Sequence, residues 1–300
     1  MKLRLTNPIV TSEMKVLMRT WRTPITLLVY LATMLFFLMS FSSLMSIGSG
    51  RSSEMGLLIY STLANVQFFV ILLIGPSLTA GAISSEREKQ TLDLLICTQM
   101  SPLKIVTGKL ISSMSWMLLL VISTTPFYSI AFLYGGVSPF AVALSMLYLM
   151  LCAFATGAIG LFFSTVFKKT ATSSVMSYVV IFGLGVGTLI LGALEMSATR
   201  GYYFSPRAGA LRAPIAFYFN PYFGFTAVNG LLVGGNARSI IAGIFSGVRP
   251  WEGILFILIN VAFMLVVSVF MLFIAVRRLD PMRAKGRRRA GRANSGGEPR

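Results

Sequence analysis

Residues 81–95 read GAISSEREKQTLDLL, a charged segment that stands between two long apolar stretches of the chain. Five of these 15 residues are charged, whereas the flanking stretches 57–82 and 110–134 contain no Asp, Glu, Lys or Arg. A stretch of about 20 apolar residues is long enough to cross a bilayer as a helix. The pattern therefore predicts two membrane spans joined by a short charged segment, which is either a solvated loop or a docking surface.

The whole chain has the composition of a membrane protein. Hydrophobic residues make up 55% of the sequence and charged residues only 12%, a balance that a soluble domain of 300 residues does not tolerate. We therefore expect one all-α polytopic domain over residues 1–276. Six uncharged stretches are long enough to span a membrane: 24–47, 57–82, 110–134, 139–166, 174–194 and 253–276.

The distribution of basic residues predicts the orientation of the chain. If the N-terminus is cytoplasmic, 20 of the 26 lysines and arginines lie on the cytoplasmic side, and nine of these follow residue 276. Positive charge in short loops marks the cytoplasmic side, so both termini are predicted there. The basic tail 277–300 contains Gly, Ser, Asn and Pro and is predicted to be disordered. Attraction to anionic lipids explains its charge, and we expect no binding to nucleic acid.

Residues 8–22 precede the first span and have the periodicity of an amphipathic helix. Apolar side chains recur on one face and basic side chains on another. Such a helix lies in the headgroup layer of the membrane, and it acts either as a simple anchor or as a lever beside a partner. The residues that define it as an interfacial helix are Lys15, Arg19, Trp21 and Arg22.

The segment 195–252 is the longest predicted region on the outer side. Residues 213–237 are uncharged, but Asn220-Pro221 and several glycines interrupt them. A seventh crossing would place the nine basic residues of the tail outside, against the positive-inside bias. We therefore expect broken, short helices at the outer leaflet between the fifth and sixth spans.

Several absences restrict the chemistry that the chain can perform. The sequence has no histidine, no carboxylate in the middle of a span and no G-x-x-x-x-G-K-[ST] motif. Histidine acid–base catalysis and histidine-ligated zinc are therefore excluded, and there is no phosphate-binding loop for ATP. We predict no catalytic residue, no metal site and no cofactor site, so the chain is not expected to be an enzyme.

The charged segment itself has features of a cytoplasmic helix. Ser85 and Glu88 have the spacing of a capping box, and an apolar stripe follows at Leu92, Leu95 and Ile96. Ser101-Pro102 is expected to begin the next helix. Such regularity favours a helical docking element over a solvated loop.

These residues resemble a family signature. Residues 84–95, followed by Ser101-Pro102 and Gly108-Lys109, resemble the pattern of ABC-transporter permeases of the type-2 exporter class, and the resemblance covers residues 7–276. Glycine is frequent in that family at the position of Gln90, and a basic residue is frequent at the position of Ser12. The resemblance implies a permease subunit of an exporter in the plasma (inner) membrane. It also implies a second permease chain, as a homodimer or heterodimer, and a separate ABC ATPase subunit that binds ATP and Mg.

The resemblance further implies that the charged segment is the coupling helix, which enters a groove on the ATPase. The side chains assigned to this coupling are Glu86, Arg87, Glu88, Lys89, Thr91, Leu92, Asp93 and Leu95. The substrate and its contact residues are not predicted individually. Spans lined by hydroxyls, aromatic residues and the amides Asn65, Gln67 and Asn260 suit an amphipathic or lipid-like cargo. A non-transporting membrane scaffold or assembly factor is the alternative.

Overall fold

A computed structural model describes the backbone of residues 21–45, 52–91, 101–198, 214–233 and 250–295. Nearly all of these residues are helical, and none of them forms a β-strand. In chain order, the helices are α1 (Arg22–Met45), α2 (Ser52–Thr79), α3 (Ser84–Glu88), α4 (Pro102–Ser123), α5 (Thr125–Tyr134), α6 (Pro139–Val166), α7 (Thr170–Ala198), a 3-10 helix (Ile215–Phe219), α8 (Pro221–Val233) and α9 (Pro250–Ser295).

Five helical segments of the described chain are long and apolar enough to cross a membrane. They are Met55–Glu88, Pro102–Tyr134, Pro139–Val166, Thr170–Ala198 and Gly253–Leu279. A shorter apolar helix, Pro24–Ser40, lies within α1. The prediction of an all-α polytopic membrane protein is confirmed. The sixth span remains a prediction, because the apolar part of α1 is shorter than the other five segments.

Helix α6 is the centre of the bundle and packs against α2, α4, α7, α8 and α9. Its start is fixed locally, because the Ser138 hydroxyl accepts a hydrogen bond from the N–H of Ala141 at 3.1 Å and Pro139 suits the first helical position. Gly160 allows α2 to approach closely. A Cβ atom at this position would lie 2.1 Å from the Thr79 hydroxyl oxygen, so a larger residue would force α2 and α6 apart.

The second of the five long apolar segments, Pro102–Tyr134, is broken at Thr124, between α4 and α5. Pro126 explains the break, because proline has no backbone N–H to donate and its ring clashes with the preceding turn. The Thr124 hydroxyl is buried, donates to the carbonyl of Val121 and accepts from the Gln67 amide at 2.9 Å. At the other end of α4, the predicted Ser101 cap is present and accepts from the N–H of Lys104 at 3.4 Å.

The described part of 195–252 contains two short helical elements separated by Asn220. The 3-10 helix contacts α7 and α9, and α8 contacts α6 and α9. Asn220-Pro221 thus interrupts the helix, as the sequence indicates. The location of this segment at the outer leaflet remains a prediction.

The predictions for the two ends of the chain concern a disordered tail from residue 277 and an amphipathic helix over residues 8–22. Helix α9 continues to Ser295, whereas the sequence predicts a disordered tail from residue 277. Leu279 is buried beside Ile83 and Ile105, so the first tail residues belong to the packed bundle. Most of the predicted helix 8–22 lies outside the described residues. Trp21 is highly exposed just before α1 begins.

Candidate functional site

The charged signature lies where α2 and α6 end and α4 and α7 begin, on one side of the bundle, and α9 passes beside it at Leu279. Here we call this side the motif end, and residues Ser84–Thr91 the 84–91 segment. Ile83, immediately before it, is almost fully buried in an apolar cluster with Ile105, Leu161 and Leu279. This cluster anchors the beginning of the segment to three other helices.

Ser164 of α6 holds the first turn of the segment. Its hydroxyl oxygen accepts hydrogen bonds from the N–H groups of Ile83 at 2.8 Å and Ser84 at 2.9 Å. These donors have no partner within their own helix, as is general for a helix N-terminus. The capping box predicted for Ser85 and Glu88 is wrong, because the residue at the cap position is Ile83 and no side chain of α3 caps it. A distant serine takes that role.

Glu86 connects the segment to α4. One carboxylate oxygen forms an ion pair with the Lys109 ammonium group at 3.2 Å. The other accepts a hydrogen bond from the Thr91 hydroxyl at 2.5 Å. The Glu86 side chain therefore joins the two ends of the segment and fastens it to the following helix.

Arg87 binds the C-terminal end of α6. Its two terminal guanidinium nitrogens donate to the carbonyls of Thr165 at 2.8 Å and Phe167 at 3.3 Å. The last carbonyls of a helix have no partner in the helix and carry the negative end of its dipole. A guanidinium group at this point satisfies both the hydrogen bonding and the charge.

Glu88 binds the N-terminal end of α7. Its carboxylate accepts hydrogen bonds from the N–H of Thr170 at 3.0 Å and from the Thr170 hydroxyl at 2.7 Å. A negative charge is favourable at the positive end of the helix dipole. The adjacent residues Arg87 and Glu88, of opposite charge, therefore cap the opposite ends of two helices that are joined only by Phe167, Lys168 and Lys169.

The segment turns sharply after α3. The N–H of Thr91 donates to the carbonyl of Glu86 at 2.9 Å, and the N–H of Gln90 donates to that of Arg87 at 3.1 Å. This pair of bonds is the Schellman arrangement, which places the intervening residue in a left-handed conformation. Gln90 has a φ of 58° and is the only non-glycine residue of the described chain with a positive φ. The turn also ends the predicted helix at Glu88, before Leu92.

The predicted coupling residues thus fall into three groups. Glu86, Arg87 and Glu88 direct polar atoms toward other helices, and Thr91 binds Glu86 within the segment. Lys89 is exposed. Leu92, Asp93 and Leu95 lie outside the described residues, as do Lys15 and Arg19 of the predicted interfacial helix, and α1 begins at Arg22.

Sequence reasoning missed the partners of the segment. Ser164 and Thr170 lie about 80 positions further along the chain, on the two sides of the turn 167–169. The only local signal is a threonine at the start of an apolar run, directly after a basic pair. That signal predicts a helix start but does not indicate which carboxylate binds there.

A second polar site lies in the far half of the bundle. Asn260 of α9 is fully buried, and its amide nitrogen donates to the carbonyls of Tyr218 at 2.8 Å and Asn220 at 3.0 Å. Its oxygen accepts from the Tyr148 hydroxyl at 2.6 Å. The Asn220 amide donates to Thr188 of α7 at 2.8 Å. We call Tyr148, Asn220 and Asn260 the amide cluster.

The three amides that the sequence places within the predicted spans are mostly engaged within the chain. Asn260 belongs to the amide cluster, and Gln67 is buried between Thr124 and Tyr128, whose hydroxyl donates to it at 2.6 Å. Asn65 donates to the carbonyl of Ser61 in its own helix at 2.7 Å. Within the described ranges, no group of three or more His, Cys, Asp or Glu side chains is placed to hold a metal ion.

The long apolar helices and the charged segment at their common end define a multi-pass helical membrane protein. The chain belongs to the ABC-2 family of transporter proteins, because the model described as ABC-2 family transporter protein matches residues 7–276. It is therefore a membrane-embedded permease of the ABC transporter class. None of the curated proteins compared with the chain matches it.

Proposed function

We propose that the chain is the permease subunit of an ATP-driven exporter and that the movement of the ATPase subunit is transmitted to the motif end. A separate ABC ATPase subunit would bind ATP and Mg, and two permease chains, identical or not, would form the pathway. This proposal agrees with the family match to residues 7–276 and with the absence of a phosphate-binding loop from the sequence. The chain itself would not hydrolyse ATP.

The attachment of the 84–91 segment to several helices is the observation that carries this proposal. Glu86 fastens the segment to α4, Arg87 to α6 and Glu88 to α7. A solvated loop needs no such attachments. A segment that is pushed by a partner does need them, because a displacement reaches the spans only through contacts that hold during the movement.

The energetic basis of the proposed coupling is differential binding. ATP favours the closed pair of ATPase subunits, and the permease conformation that fits this closed pair is thereby stabilised. Leu92 and Leu95 are the predicted apolar anchors in the ATPase groove, because buried apolar side chains dominate most interfaces. The exposed Lys89 would lie at the rim.

The proposed setting is the plasma (inner) membrane, with six spans, both termini in the cytoplasm and residues 8–22 on the lipid surface. An amphipathic or lipid-like cargo suits the apolar spans. The opposing hypothesis of a non-transporting scaffold or assembly factor predicts a protein that binds no ATPase. Association with an ATPase therefore separates the two functions.

The test is copurification of the ATPase with the tagged chain from native membranes. We expect Leu92→Asp with Leu95→Asp to reduce the recovered ATPase by about tenfold or more, while the amount of chain in the membrane is unchanged. Lys89→Ala is the matched control and is expected to change recovery by less than about twofold, since exposed charges contribute little. Glu86 is left intact, because its replacement would also break the ion pair with Lys109.

Failure of the wild-type chain to copurify with any ATPase would reject the proposal and favour the scaffold. Normal recovery with the double variant would reject the docking role of Leu92 and Leu95. Labelling of a cysteine placed within 284–296 from outside the cell would contradict the proposed orientation.

A further inference from the structure

Helix α7 connects the 84–91 segment with the amide cluster. Its first residue, Thr170, binds Glu88 through both its N–H and its hydroxyl. Eighteen residues later, the Thr188 hydroxyl and the Gly185 carbonyl accept hydrogen bonds from the Asn220 amide at 2.8 and 3.0 Å. At 1.5 Å per residue, the distance along the helix is about 27 Å, which is close to the thickness of the apolar core of a bilayer.

Helix α7 is also suited to move as a unit. Many of its apolar side chains, including Val179, Phe182 and Ile190, are more than half exposed. Much of the surface of α6, in contrast, is buried between its neighbours. A helix with one side outside the packing of its own chain can shift relative to the bundle at a lower cost than the central helix, because fewer close contacts within the chain must rearrange.

The turn between α6 and α7 is held from both sides by neighbouring residues. Arg87 binds the carbonyls before and within the turn, and Glu88 binds the first N–H after it. A displacement of the 84–91 segment therefore pulls on the end of α6 and the start of α7 together. With α6 held by its neighbours, α7 is the helix that can respond.

We propose that Arg87 and Glu88 are positioning residues that pass a displacement of the 84–91 segment to α7, and that α7 passes it to the segment around Asn220. They are not contacts for the ATPase. This inference rests on the proposed function, since it assigns the route by which the ATP-driven movement crosses the membrane. Glu86 and Lys109 would keep the segment attached to α4 during the movement.

The experiment separates a tether from simple helix capping. Glu88→Ala removes both the cap of α7 and the link between α7 and the 84–91 segment. Adding Lys169→Ser to Glu88→Ala restores a local cap at the residue before α7 but does not restore the link to the segment. Lys169→Ser alone is the control. Thr170→Val is a milder variant that loses the hydroxyl contacts with Glu88 and Ser84 but keeps the N–H contact with Glu88. It keeps the test available if Glu88→Ala is not produced.

Each variant is purified with its ATPase in lipid nanodiscs and carries Ile215→Cys as a reporter, with Cys97→Ser to limit background. Ile215 is 68% exposed and lies in the 3-10 helix that contacts α7 and α9. The rate of thiol labelling is measured with and without ATP and Mg. ATPase recovery and the melting temperature are measured for the same samples.

We expect Arg87→Ala and Glu88→Ala to retain ATPase recovery within about twofold, while the ATP-dependent change in labelling falls by about tenfold. Thr170→Val should show a smaller fall in the same direction. The Glu88→Ala, Lys169→Ser double variant should regain the melting temperature of the wild-type protein but not its ATP-dependent change in labelling.

Recovery of the labelling response in that double variant would overturn the inference, because local capping would then explain the role of Glu88. Loss of ATPase recovery with Glu88→Ala would also overturn it, because Glu88 would then be a docking residue. If the wild-type chain copurifies with its ATPase but its thiol labelling does not change with ATP, the proposed route is rejected while ATPase association stands. If the wild-type chain recovers no ATPase, the proposed function itself fails.

Discussion

The 84–91 segment and the amide cluster both connect several helices, but they do so with different chemistry. At the motif end, Glu86, Arg87 and Glu88 carry full charges, and Glu88 is exposed. In the far half, Asn220 and Asn260 are neutral and fully buried. A charge in the apolar part of a bilayer is costly, whereas an amide can satisfy buried carbonyls without charge.

The difference has a mechanical consequence. Each contact between charges near water contributes little to stability and is sensitive to salt, so the 84–91 segment is held to its helices by the sum of several such contacts. Buried hydrogen bonds leave unsatisfied groups when they break, and this makes the amide cluster rigid. We therefore expect substitutions in the cluster to lower stability more than equivalent substitutions in the segment.

The largest effect is expected for Asn260→Leu. This change removes three hydrogen bonds and leaves the carbonyls of Tyr218 and Asn220 without the amide donor. We expect the free energy of unfolding to fall by about 2 kcal/mol or more, measured by thermal unfolding in detergent. The control is Asn65→Leu, whose amide bonds only within its own helix and which should cost less than about 1 kcal/mol. Equal losses in the two variants would contradict a special role for the cluster.

A glycine-to-alanine substitution can be compared beside the amide cluster, at Gly224, and just before the 84–91 segment, at Gly81. A Cβ atom at Gly224 would lie 2.2 Å from the Tyr148 hydroxyl and 2.3 Å from the Asn260 oxygen, whereas one at Gly81 would lie 3.3 Å from a Thr170 methyl group. We expect Gly224→Ala to destabilise the protein by about 1.5 kcal/mol through overpacking. Gly81→Ala should change the melting temperature little. A larger loss for Gly81→Ala would reverse the comparison.

A smaller and opposite effect is expected at Gln90. Because its φ of 58° is unfavourable for a residue with a Cβ atom, Gln90→Gly should stabilise the turn by about 1 kcal/mol. Gln90→Ala keeps the strain and is the matched control, with an expected change of a few tenths of a kcal/mol. Chemical denaturation of the two variants under identical conditions measures the difference. If both variants stabilise the protein equally, strain at Gln90 is not the cause.

The smallest effect is expected for the Glu86–Lys109 ion pair. A double-mutant cycle with Glu86→Gln and Lys109→Met should give a coupling energy of about 0.5 kcal/mol, since both side chains are only partly buried. The coupling should decline as salt is raised from low to high concentration. The loss in Asn260→Leu should stay constant over the same range. A coupling that is insensitive to salt would show that the ion pair is buried as effectively as the amide cluster.

The sequence by itself determined the class of the protein and most of its helices. Uncharged stretches of sufficient length predict spans without reference to their neighbours, and four of the six predicted stretches fall within the candidate spans that begin at Met55, Pro102, Pro139 and Thr170. The last stretch matches the segment ending at Leu279. The cap at Ser101 was equally predictable, because its acceptor and donor are three residues apart.

Only the tertiary structure decided how the charged segment is used. The partners of Glu86, Arg87 and Glu88 lie between 23 and 82 positions away, and periodicity describes which face of a helix is apolar but not which distant group meets it. Local rules favoured a capping box and a continuous helix to Leu95. The nearby hydroxyl of Ser164 and the start of α7 instead supplied better partners, because the ends of packed helices offer unsatisfied N–H and carbonyl groups at fixed positions. The same limit applies to Asn260, whose place within a span follows from the sequence, whereas the carbonyls that surround it are brought together only by the folded chain.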